Sequence, residues 1–83
     1  MKYLFKVEQA ASISGRPIVF ALAPEQANFS ISAGTRLHGC KVLTVDMPRS
    51  VDAEGKPRFL YAFVLADPND LPKFNAGQQI ALE

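Results

Sequence analysis

The sequence predicts an all-β domain, a small closed or partly open β-barrel of about six strands, and three observations carry that prediction. Apolar and polar residues alternate at a period of two in several short runs, the pattern of strands with one wet face. No longer window keeps the 3.6-residue period of a helix. Turn formers and prolines return every eight to twelve residues or so, as in small sandwiches and barrels. Closing such a sheet on itself removes the edges that would otherwise invite aggregation.

Taken in order, Tyr3, Phe5 and Val7 alternate with Lys2, Lys6 and Glu8 and predict a first strand, with Leu4 breaking strict alternation. Gly15-Arg16-Pro17 punctuates the chain, and the apolar run Ile18 to Ala23 predicts a second strand that Pro24 stops. Glu25 to Asn28 reads as a turn, and Phe29 and Ile31 then alternate with polar neighbours in a short third strand ended by Ala33-Gly34. From Cys40 to Met47, Leu43, Val45 and Met47 stand against Lys41, Thr44 and Asp46, which predicts a fourth strand closed by Pro48.

The segment Arg49 to Arg58 is rich in charge and carries Gly55 and Pro57, so a long, exposed, mobile connection is expected there. Phe59 to Leu65 is apolar on both faces and reads as a central strand covered on each side, or one that bends between two sheets. Phe20, Phe59, Tyr61 and Phe63 are therefore expected in the core. Asp67 to Pro72 has two prolines and admits at most one helical turn, and Gln78 to Glu83 ends the domain in a strand with Ile80 and Leu82 on one face.

A chain of 83 residues cannot divide its apolar surface between two cores, so residues 1–83 are expected to form one domain. Apolar residues make up 48% and charged residues 20%, a balance that favours a packed globule over disorder. Nine basic and eight acidic side chains leave a formal charge of +1, too little for general attraction to nucleic acid or anionic lipid. Any such binding needs a local patch. Cys40 is the only cysteine, which rules out an intrachain disulfide and points to the cytoplasm. Lys6 and Glu8 interrupt any apolar signal segment, and no stretch is long enough to span a bilayer as a helix.

His38 and Cys40 are two residues apart, so on a strand they would share a face, as a base and a nucleophile might. No nucleophile elbow or third orienting residue accompanies them, and structural zinc needs more ligands than this pair supplies. Cys40 packing as a small hydrophobe and His38 facing solvent beside Gly39 is the simpler reading. Asp46, Asp52, Glu54, Asp67 and Asp70 show no pairing suited to acid and base work, and no phosphate or calcium loop is present. Neither an enzyme nor a metal or other cofactor is expected. The surface feature with functional promise is the long connection, where Arg49, Lys56 and Arg58 could contact phosphates or carboxylates, opposed by Asp52 and Glu54.

The order of elements also resembles the β-barrel of translation factors, the fold of the second domain of elongation factor Tu. Phe5-Lys6-Val7 opens a strand, Gly15-Arg16-Pro17 stands where that family has a Gly-Arg-Gly turn, and Ile31 to Leu37 is similar to its Ile-x-x-Gly-Asp-x-Val segment. Ala76-Gly77-Gln78-Gln79-Ile80-Ala81-Leu82 resembles its closing Ala-Gly-Asp-x-Val strand. Pro17 replaces the second glycine, and Thr35 and Gln78 stand where Asp is usual. With no nucleotide-binding domain in view, the resemblance implies a binding role without GTP hydrolysis, toward RNA or a neighbouring domain. The expected function is a non-catalytic interaction module that binds a protein partner through loops or a sheet edge, as a monomer or weak homodimer. The alternative is an RNA- or ribosome-associated module.

Overall fold

The computed structural model describes residues 3–24, 29, 31–32, 34–48 and 50–83. Six strands close into one antiparallel barrel: β1 (Tyr3–Ile13), β2 (Arg16–Ala23), β3 (Arg36–Leu37), β4 (Cys40–Asp46), β5 (Phe59–Leu65) and β6 (Gln79–Leu82). Around the barrel their order is β1-β2-β5-β4-β3-β6, with β6 returning to β1. The seam between β3 and β6 is short. Leu37 opposes Leu82, Arg36 and Glu83 exchange backbone bonds of 2.9 and 2.8 Å, and the His38 N–H donates to the Ala81 carbonyl at 2.8 Å.

Two of the connections are two-residue hairpins. Ser14 and Gly15 have φ of 53° and 76°, and His38 and Gly39 have 53° and 79°, the paired positive values of a type I′ turn. Glycine takes the second position in each because it reaches this region without a Cβ penalty. The short third strand expected around Phe29 and Ile31 is not a strand in the structure. Both side chains pack against the core, but Phe29, Ile31 and Ser32 lie outside regular structure, while Glu25 to Asn28, Ser30 and Ala33 lie outside the described residues. The third strand is instead Arg36–Leu37, too brief to leave a periodic signal.

Beads of apolar side chain fill the interior. Phe5, Val7, Val19, Leu37, Phe63, Leu65 and Ile80 are all essentially removed from solvent. Phe5 sits among Phe29, Tyr61 and Phe63 at ring-centroid separations of 5.7, 5.5 and 5.3 Å, each in an edge-on arrangement that suits the ring quadrupoles. At the opposite end, the chain after β5 forms a short 3-10 helix, Pro68–Lys73, whose following residue Phe74 is buried. Its first turn is capped by Asp67, whose carboxylate accepts the Asn69 N–H at 2.9 Å. Six residues amount to two turns of 3-10 helix, longer than the single turn expected.

Strands β1 and β4 each contain a bulge, and the bulges decide which side chains face inward. In β1, Val7 opposes Ala21 but Gln9 opposes Phe20, so Glu8 is an extra residue. Phe5 and Val7 point in before it and Ala10 packs against the core after it. Without the extra residue, Gln9 would take the inward place. In β4, Val42 opposes Leu65 and Thr44 opposes Val64, which makes Leu43 the extra residue. The inward series is therefore Cys40, Val42 and Val45, not Leu43, Val45 and Met47, and Leu43 and Met47 are 54% and 47% exposed.

Phe20 also departs from expectation. It lies on the outer face of β2 and is only partly buried, because Val19 and Ala21 occupy the inward positions. On β5, Tyr61, Phe63 and Leu65 point in, while the outward Ala62 and Val64 are small enough to be covered by their neighbours.

Phe63→Ala removes a fully buried ring at the meeting point of β2, β4 and β5. It is expected to cost about 3–5 kcal/mol, a large share of the stability of a domain this small, measured by urea unfolding. Phe20→Ala, on the outer face, is expected to cost less than half as much.

Candidate ligand-facing surfaces of the barrel

The connection between β4 and β5 is organised as a two-stranded ribbon. Val51 and Pro57 form an antiparallel bridge, and the Arg58 N–H donates to the Ser50 carbonyl at 2.9 Å. Asp52 ties the tip. One oxygen of its carboxylate accepts the N–H groups of Glu54 and Lys56, both at 2.9 Å, and its own N–H donates to the Lys56 carbonyl at 2.9 Å. An Asp at the start of a turn satisfies backbone donors in this way, so Asp52, which in the sequence stands only as a charge opposing the nearby cations, is a structural staple.

Of the three cations expected to form a binding site here, Arg49 lies outside the described residues. Lys56 is exposed at the tip, 3.6 Å from the Glu54 carboxylate. Arg58 turns back toward the barrel and pairs with Glu8 of the β1 bulge, and that hydrogen bond to the carboxylate holds its guanidinium above its ordinary pKa. Glu8 lies on the outer face by alternation with Val7, and the bulge keeps Gln9 on that face beside it, where Glu8 can reach the ribbon. The structure does not gather Lys56 and Arg58 into one cationic pocket.

What it gathers at the base of the ribbon is apolar. Met47, Pro48, Val51, Pro57 and Phe59 line a groove of about 360 Å³, with Ser50 and Arg58 at its polar margin. Val51 is 62% exposed. A second groove, about 530 Å³, lies on the outer face where the end of β2 diverges from β1, walled by Leu4, Leu22, Ala23 and Pro24 with Lys6 and Gln79. Alternation within β4 hid the first groove from the sequence, because Met47 read as inward.

His38 and Cys40 separate. Cys40 opens β4 with its side chain in the core, 4% exposed, its thiol donating to the His38 carbonyl at 3.7 Å. His38 occupies the turn, where its ring meets the Gln78 amide at 3.1 Å and the edge of Phe74 at 5.7 Å between centroids. Burial pushes the Cys40 thiol above its ordinary value, and the Asp70 carboxylate adds to the rise against the opposing pull of Lys73 and Arg36. A thiol held neutral is a poor nucleophile. Among the described residues no cluster of three or more His, Cys, Asp or Glu side chains is placed to hold a metal ion, and no helix is long and apolar enough to cross a membrane.

The two turns with Thr35 and Gln78 share one device. The Thr35 hydroxyl accepts the Ser32 N–H and the Gln78 side-chain carbonyl accepts the Asn75 N–H, each at 2.9 Å and three residues back. Register also opposes Arg36 directly to Lys41 across the β3–β4 hairpin, a like-charge pair that costs stability unless an anion lies near.

A thiol with a raised pKa in the folded state stabilises the fold fully below its unfolded pKa, and that contribution is lost as pH climbs toward the folded value. Unfolding midpoints of the wild type are accordingly expected to fall more steeply above about pH 8.5 than those of Cys40→Ala, whatever the variant's offset at neutral pH. Parallel curves would show that ionisation of Cys40 is not coupled to folding.

No protein-family model, curated protein or solved structure matches this chain.

Proposed function

We propose that this barrel is a non-catalytic interaction module that binds a protein partner through the β4–β5 ribbon. The observation that carries the reading is exposed apolar surface on an ordered support. Met47 and Val51 stand open to solvent beside Pro48, Pro57 and Phe59, on a ribbon braced by Asp52 and by the Arg58–Glu8 pair. Small domains rarely leave large apolar side chains clustered in a concave site without a partner to cover them. Fixing the ribbon before binding lowers the ordering cost of association. A buried Cys40 with a raised pKa and a turn-bound His38 support the non-catalytic part of the reading.

The second reading, an RNA- or ribosome-associated module of translation-factor type, draws support from the opposed Arg36 and Lys41 on the β3–β4 hairpin. Thr35 and Gln78 also serve the turn role that Asp has in the resembled family. Against it, Lys56 and Arg58 each lie beside a carboxylate and the formal charge is only +1.

Affinity capture from the cognate cell extract, with the wild type and a Met47→Glu/Val51→Glu variant as baits, separates the readings. The expected outcome is a protein retained by the wild type, lost by the variant at unchanged melting temperature, and insensitive to moderate salt. Retention of RNA that falls steeply with salt and survives the double substitution would favour the second reading. Equal protein retention by both baits would remove the ribbon as the interface.

A further inference from the structure

We infer that the distal half of β1 is a self-pairing edge, through which two copies of this chain join as a weak two-fold dimer. The barrel is closed, yet β1 outruns its closure. Up to Lys6 it has β6 on one side, and the Val7 backbone still bonds to Gly77 and Gln78 at 2.8 Å each. From Gln9 to Ile13 its strand neighbour among the described residues is β2 alone.

The direction of the backbone groups on this stretch follows from the turn. In a two-residue hairpin the flanking pair, here Ile13 and Arg16, exchanges both backbone bonds, so Ala11 with Ile18 and Gln9 with Phe20 are bonded pairs too. The same parity is reached from the other end, through the bulge at Glu8. The N–H and C=O groups of Ala10 and Ser12 therefore point away from β2, and no backbone bond connects them to a described residue on that side.

Composition selects the occupant. Natural sheets protect exposed edges with lysine, proline, inward charge, bulges or a covering helix, and although the Glu8 bulge precedes this stretch and the 3-10 helix packs against β1, Gln9-Ala10-Ala11-Ser12-Ile13 carries no lysine, proline or charge of its own. About a two-fold axis at Ala11, antiparallel pairing sets Ala10 against Ser12 of the second copy, so the outward groups of each meet those of the other. Ala11 then opposes its own counterpart in a non-hydrogen-bonded pair, where Cα atoms approach to about 4.5 Å and a small side chain fits. Charge allows this contact, because Gln9 falls opposite Ile13 and no like charges face each other. The nearest acid, Glu8, is already paired with Arg58. Ile13, 43% exposed in the single chain, gains Gln9 and Ala11 of the second copy as neighbours. The joined sheet is continuous, running from β5 and β2 through both copies of β1. An isologous contact of this kind closes at two and does not propagate.

An edge this short buries less than the ~1,000 Å² of a tight interface, so the dimer is expected to dissociate in the micromolar to millimolar range. Sedimentation velocity on the full chain from about 10 µM to about 1 mM reads it directly. The expected result is a concentration-dependent rise toward the dimer, lost in Ala11→Lys and restored on mixing equal amounts of Ala11→Lys and Ala11→Glu. Where either variant unfolds, Ser12→Pro takes its place, since it removes an outward donor and leaves the bonds to β2 intact. A wild type that stays monomeric to about 1 mM overturns the inference, and so does undiminished dimerisation of Ala11→Lys or Ser12→Pro.

Discussion

Closing six short strands around a filled interior requires every strand to present an unbroken inward series of apolar side chains, even where it must bend. The rest of the molecule follows from how that requirement is met. A strand has a period of two, and a bend that shifts register by one residue would turn polar side chains into the core. At β1 and β4 the extra residues Glu8 and Leu43 absorb the bend, so that Val7 is followed inward by Ala10, and Val42 by Val45. The two bulged residues face solvent. Phe5 and Phe63, both fully enclosed, then meet across the barrel at 5.3 Å.

The outer surface carries a second tie beside this bulge. Glu8, outward by alternation with Val7, offers its carboxylate to Arg58, and the base of the β4–β5 ribbon is tied to β1 across the outer faces of β2 and β5. An exposed pair of this kind contributes little to stability. Its effect is on position, holding the ribbon against the barrel wall so that Met47, Val51 and Phe59 form one concave apolar surface. Ribbon placement and the proposed interface are linked through the outward carboxylate of Glu8.

Much of this architecture was legible in the sequence. Five of the six strands are legible, β1, β4 and β6 from period-two alternation and β2 and β5 from apolar runs, and the expected end of β2 at Pro24 and span of β5 agree with the structure. Bulges are not legible, since an extra residue looks like an imperfect alternation, so the pattern places Leu43 and Met47 inward where the structure places Val42 and Val45. The outward place of Phe20 is hidden for a related reason: β2 is apolar on both faces, and composition alone does not tell the two apart. The site was less legible than the fold. Asp52 reads only as a charge opposing the nearby cations, although its carboxylate organises the ribbon tip, and Arg58 reads as available for a phosphate, although a residue fifty positions earlier engages it.

The account depends on the sheet being closed, and the β3–β6 seam is its narrowest join. Solution NMR of the isolated chain tests it most directly, through cross-strand nuclear Overhauser effects between Leu37 and Leu82 and the exchange rate of the His38 amide. Closure requires that contact together with a His38 amide as slow as those of β2 and β5, because its bond to the Ala81 carbonyl opens only when the barrel does. A missing Leu37–Leu82 contact, with a His38 amide exchanging at the rate of an open hairpin, would contradict it.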